Sequence, residues 1–128
     1  MLTLLSLKNV FLAGAVLATL SVLAPALSAA PPSYPYDMTP YVTMAKASLK
    51  LVAAGDMPGA LKKMQELEGK WDSETTELKK HDATLWKVID EQMDVAIDAC
   101  QTTDAKKATD ALNNYLAKVA RVPKPEKK

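Results

Sequence analysis

Apolar residues return at three- and four-residue intervals along four stretches of this chain, the spacing that places side chains on one face of a helix. The two strongest runs are adjacent. Met57, Leu61, Met64, Leu67, Trp71 and Leu78 form one, and Leu85, Val88 or Ile89, Met93, Ala96 or Ile97 and Cys100 form the other. Between them, Lys79, Lys80 and His81 suit the negative end of a helix, and Asp82 can cap the amides that open the next. The spacing therefore predicts a helical hairpin with its break near residue 81. Without a break there, one helix would run from about residue 57 to about residue 101, far beyond the ~10–14 residues usual in globular proteins.

Two weaker runs flank the hairpin. Tyr41, Val42, Ala45, Leu49 and Val52 predict a first helix, with Thr39 as its cap, Pro40 in its first turn and Gly55 as a left-handed terminator. Asp56 starts the next helix almost at once, and so short a connection makes the two helices antiparallel neighbours. Ala105, Ala108, Leu112, Tyr115, Val119 and Val122 predict the last helix, opened by Thr102-Thr103-Asp104 and stopped by Pro123 and Pro125. The expectation is an all-α protein: an up-down-up-down four-helix bundle over residues 39–122, preceded by a Pro-rich linker over 31–38 and followed by a charged, disordered tail over 123–128. At a rise of ~1.5 Å per residue from turns near 55, 81 and 103, Tyr41, Trp71, Ile89 to Asp90 and Tyr115 reach a common height. Three aromatic side chains would meet there, with Asp90 as the acceptor for a buried indole or phenol.

The first 30 residues read differently. Lys8, an uncharged stretch from Val10 to Ala24, then Pro25 and the small residues Ala26, Ser28, Ala29 and Ala30 have the pattern of a cleaved secretory signal peptide. Ala24-Pro25-Ala26, Ala26-Leu27-Ser28 and Ser28-Ala29-Ala30 each offer a cleavage point. The apolar run is shorter than the ~20 residues that span a bilayer, so no stable membrane span is expected after cleavage, and the mature protein is expected to be periplasmic or secreted.

Removal of Lys8 leaves 15 Lys and Arg against 15 Asp and Glu, a neutral mature chain. Binding to nucleic acid phosphates needs a cationic excess and is not expected. Cys100 is alone, so no intramolecular disulfide can form; a free thiol is either buried in the bundle or used for an intermolecular bridge, and its spacing from Met93 and Ile97 favours burial.

Candidate chemistry is confined to carboxylates and one imidazole. Asp90, Asp94 and Asp98 lie four apart on one face, and Glu74, Glu77 and His81 share another with Glu-x-x-Glu spacing. Oxygen and imidazole ligands on adjacent turns can hold a divalent or ferric ion when a facing helix completes the set, so these six residues are the candidate metal ligands. Trp71-Asp72, Glu74, Leu78, Trp86, Ile89-Asp90 and Asp94 give the stretch from Leu67 to Ile97 a likeness: it resembles small periplasmic bundle proteins and the extracytoplasmic helical domains of bacterial iron-uptake systems. That resemblance implies an acidic iron site, Glu74 and Glu77 matching the group's Glu-x-x-Glu, with Ser73 where its motif commonly carries Arg. No Gly-rich phosphate loop, haem attachment motif or nucleophile with a matching base is present. The sequence thus points to a small exported binding or interaction protein without catalytic activity or a cofactor, its partner a protein or a metal ion. The alternative is a periplasmic iron or divalent-cation binder. The oligomeric state is open.

Overall fold

The computed structural model describes residues 35–127, which fold into five helices with no strand among them. The expected signal peptide and Tyr34 lie outside the described residues. The helices are α1 (Thr39–Ala53), α2 (Met57–Glu74), α3 (Thr76–His81), α4 (Ala83–Cys100) and α5 (Ala105–Val119). α1 packs on α2 and α5, α4 packs on α2 and α5, and the short α3 lies against α4.

Each turn is fixed by local chemistry. Gly55 closes α1 at φ +81°, a backbone conformation that a Cβ disfavours, and its amide bonds back to the Val52 carbonyl. Asp56, Asp82 and Asp104 then cap α2, α4 and α5, their carboxylates accepting from the Gly59, Leu85 and Lys107 amides at 2.9, 3.0 and 2.9 Å. Lys79, Lys80 and His81 occupy the last turn of α3, as the sequence predicts.

Three local expectations need correction. Thr39 is the first residue of α1 and not its cap; Met38 holds the cap position without a side-chain cap bond, and the Asp37 carboxylate before it accepts from the Thr39 amide at 3.0 Å. At the other end, Asp104 is itself the α5 cap, and Thr102 closes the preceding turn with its hydroxyl on the Ala99 carbonyl at 2.7 Å. The helix expected to reach the Lys79–Asp82 region is interrupted at Thr75, which separates α2 from α3. The Thr75 hydroxyl donates to the Trp71 carbonyl at 2.6 Å, competing with the regular helical ladder.

The core follows the predicted stripes. Met64, Leu67, Trp71, Leu78, Ile89 and Leu112 are fully buried, while Val42, Leu49, Met57 and Leu61 are only partly covered. Apolar spacing misses Ser48, which is buried and donates to the Ala60 carbonyl at 3.0 Å, joining α1 to α2. Cys100 is buried as expected, and burial pushes its thiol pKa up. The arm before α1 is pinned to the bundle: the Tyr36 amide donates to the Pro123 carbonyl at 2.9 Å and its hydroxyl donates to the Glu74 carbonyl.

A Cβ on Gly59 would collide with the capping carboxylate of Asp56. Alanine normally gains about 1 kcal/mol over glycine inside a helix, and losing an Asp cap costs about 1 kcal/mol. Gly59→Ala should therefore yield little or no gain in the wild-type chain but close to the full gain in an Asp56→Ala background. Urea unfolding of the four variants checks this; equal effects in both backgrounds would refute the coupling.

Candidate functional site

The expected aromatic layer forms in part: Tyr41 and Trp71 meet and are hydrogen-bonded, while Tyr115 is buried without a ring contact or hydrogen bond to them. Trp71 on α2 is completely buried and its indole N–H donates to the Asp90 carboxylate on α4 at 3.0 Å. The Tyr41 ring meets Trp71 edge-on at 5.5 Å, and its hydroxyl lies 3.4 Å from the Lys70 carbonyl. Tyr115 is buried close to Tyr41, and its hydroxyl has no hydrogen-bond partner among the described residues. Burial raises both phenol pKa values.

Trp86 extends the layer in a way that the apolar pattern does not reveal. It stacks on Trp71 at 5.6 Å and 21°, and donates its indole N–H to the Thr75 hydroxyl at 2.7 Å. Lys79 lies over its outer face, 4.2 Å from the ring centroid, an attraction between cation and π-cloud. Thr75 thereby uses its hydroxyl as donor and acceptor at once, which explains a buried threonine at a helix junction.

The structure disperses the six candidate ligands. Glu74 ends α2 and pairs with Lys70 at 2.7 Å, whereas Glu77 lies in the first turn of α3 and pairs with Lys80 at 2.9 Å. The break at Thr75 means that Glu74 and Glu77 do not share one uninterrupted helix face. His81 is half exposed, 3.9 Å from Glu77. Asp90 is committed to Trp71, while Asp94 and Asp98 are exposed farther along α4. Among the described residues no three His, Cys, Asp or Glu side chains gather closely enough to hold a metal ion.

What α2 and α4 do share is an acidic seam. Burial raises the pKa of Glu68, with Asp94, Asp72 and Asp90 adding to the effect. Asp90 is likewise raised, chiefly by burial and then by Asp94 and Asp72, while the Trp71 hydrogen bond and Lys79 pull the other way. Residues 56–104 hold twelve acidic side chains against six lysines. α1, α5 and the described residues after α5 reverse this, with eight Lys and Arg against Asp110 and Glu126. Because α1 packs on α5 and α2 packs on α4, the lysine-rich helices share one side and the carboxylate-rich helices the other.

The basic side carries a cleft of about 770 Å³. Its apolar wall is formed by Val42 and Leu116, both partly exposed, with Met38, Val119 and Val122 behind them. Lys46, Lys124 and Lys127 stand on the polar rim with Asp37 and Glu126. The sequence holds a trace of this feature, since Val42 and Leu116 fall at the edges of their stripes. Only the fold brings α1, α5 and residues 124–127 together around one hollow.

Trp71→Ala should cost about 3–5 kcal/mol, as expected for a large aromatic removed from a filled core. Denaturant unfolding showing a loss below ~1 kcal/mol would contradict the burial of this layer. Asp90 also generates a pH dependence. Its folded pKa lies above that of an unfolded carboxylate, so the native state binds more protons in the interval between them. The stability it contributes is present below the unfolded carboxylate pKa near ~4 and is lost as pH rises through the folded value. Asp90→Asn, which retains an oxygen acceptor for Trp71, should raise Tm at pH 7 and flatten the decline of Tm between pH 4 and pH 7 relative to wild type. Parallel Tm–pH curves for the two proteins would refute this assignment.

Compared with known protein families, with curated proteins and with solved structures, the chain matches none. The reading of its role therefore rests on the cleft, the acidic seam and the sequence.

Proposed function

We propose that this chain is a small exported binding protein, an up-down-up-down four-helix bundle that works in the periplasm or outside the cell by holding a partner and not by catalysis. The observation that carries this reading is the cleft between α1 and α5, where Val42 and Leu116 leave apolar surface open beside charged residues. A concave apolar wall with a few polar groups at its mouth is the usual form of a ligand site. The signal-like first 30 residues support export, and the neutral composition of the mature chain speaks against a nucleic acid partner.

The acidic seam favours a second reading, a binder of iron or another divalent cation. Glu68, Asp72, Asp90 and Asp94 repel one another, and a bound cation would relieve that repulsion. In this reading the ion has to draw Asp90 and Asp94 on α4 together with Glu68 and Asp72 on α2, since no three of the described carboxylates stand close enough without it, while Glu74, Glu77 and His81 stand apart.

Native mass spectrometry of the exported protein tests the two together. The binding reading expects a co-purifying adduct or partner with wild type that is missing from Leu116→Asp, a substitution that places a charge in the cleft wall while helicity is preserved. Bare protein in both samples, combined with a Tm increase of several degrees with ferric, ferrous, zinc or cupric ions, would transfer the assignment to cation binding. That increase should then vanish in Asp90→Asn with Asp94→Asn and persist in Glu74→Gln with Glu77→Gln.

A further inference from the structure

We propose that the cleft between α1 and α5 takes a single-chain anionic amphiphile, a fatty carboxylate whose acyl chain lies along the Val42 and Leu116 wall and whose head group meets the lysines at the rim. This deepens the binding reading above and rests on it.

Charge complementarity selects the head group. Lys63, Lys70, Lys80, Lys87 and Lys106 each pair with a carboxylate of their own helix. Lys46, Lys124 and Lys127, the three lysines at the cleft, make no ion pair among the described residues. Asp37 and Glu126 stand beside them, and the Asp37 carboxylate accepts from the Thr39 amide at the start of α1. Three lysines against two carboxylates leave the rim with one net positive charge next to apolar surface. An ammonium head group would be repelled there, and a fully polar anion would leave the apolar wall unused.

Size and wall chemistry select the tail. A hollow of about 770 Å³ falls within the range of ~300–1,000 Å³ typical of sites for one small molecule, so it accommodates one acyl chain in preference to a two-chain lipid. Val42 and Leu116 supply the accessible apolar contact, backed by Met38, Val119 and Val122. The backbone bond from Tyr36 to Pro123 holds the arm before α1 against the chain leaving α5. No covalent chemistry is involved. Binding transfers methylenes out of water and pairs one carboxylate with ammonium groups at the mouth.

Titration calorimetry of the exported protein, with chains kept below their micelle concentrations, tests the proposal. Decanoate should bind saturably with one site, and laurate about tenfold more tightly, because each buried methylene contributes a fixed increment. Decyltrimethylammonium should bind at least tenfold more weakly than decanoate. Lys46→Gln with Lys124→Gln should weaken decanoate about tenfold and leave decanol unchanged. Lys106→Gln with Lys107→Gln, which alters lysines in a separate shallow hollow beside Val95, should leave decanoate unchanged. No saturable binding of any chain, equal affinity for all three head groups, or indifference to the Lys46 and Lys124 pair would overturn the proposal. If decanoate fails but Leu116→Asp still strips the co-purifying partner, the ligand class is wrong and the binding reading stands. If decanoate fails and Leu116→Asp changes nothing, both fall.

Discussion

The hydrogen bond from the Trp71 indole to the Asp90 carboxylate is the constraint around which the rest of this bundle is arranged. A completely buried indole must find an acceptor, and leaving its N–H unpaired would cost about 1–3 kcal/mol. Supplying that acceptor from another helix fixes the height of α2 against α4, because a shift of one turn, ~5.4 Å, would separate the groups entirely. Tyr41 then packs edge-on against the same indole, and Trp86 covers its other side. The interruption of the helix at Thr75 fits the same arrangement. Its hydroxyl receives the Trp86 indole N–H and returns a hydrogen bond to the Trp71 carbonyl, so the break joins the two tryptophans through polar as well as ring contacts.

The acceptor is a carboxylate placed among other carboxylates. Asp90 works against burial and against Asp94 and Asp72, and Glu68 on α2 feels the same field. Positional demand thus outweighs electrostatic comfort at this height of the bundle. On the other side, Lys46 of α1 and Lys124 and Lys127 after α5 stand around an apolar hollow. The near balance of charges in the whole chain conceals this division, since composition averages over faces that the packing of α1 on α5 and α2 on α4 keeps apart.

Much of the architecture is legible because local chemistry and apolar periodicity agree. Gly55, Asp56 and Asp82 mark turns through their own backbone preferences and capping side chains, and each works as its sequence context implies. Where several polar residues compete for one task, the choice is not local. Thr39 falls inside α1 and leaves the cap position to Met38, and Asp104 caps α5 in preference to the threonines before it. The Glu74 and Glu77 pairing is the clearest casualty: its spacing implies one helical face only while the helix continues, and Thr75 stops it. At that stop Thr75 receives a hydrogen bond from Trp86, eleven residues away, which no helical periodicity can register.

By itself, the sequence determined the helical class, the turns near residues 55, 82 and 103 and the meeting of Trp71 with Asp90, because these follow from periodicity, capping and rise per residue, and it favoured the burial of Cys100 that the structure shows. Only the tertiary structure decided which partly apolar residues remain open. Val42 looks like an ordinary stripe residue along the chain and Leu116 falls beside its stripe, and both become a wall of the cleft because α1 and α5 meet beside residues 124–127 without filling the space between them. It likewise decided that the lysine-rich α1 and α5 lie together and the carboxylate-rich α2 and α4 lie together. The physical reason is the same in both cases: a helix specifies its own face, but which helices become neighbours is settled by packing across the whole core.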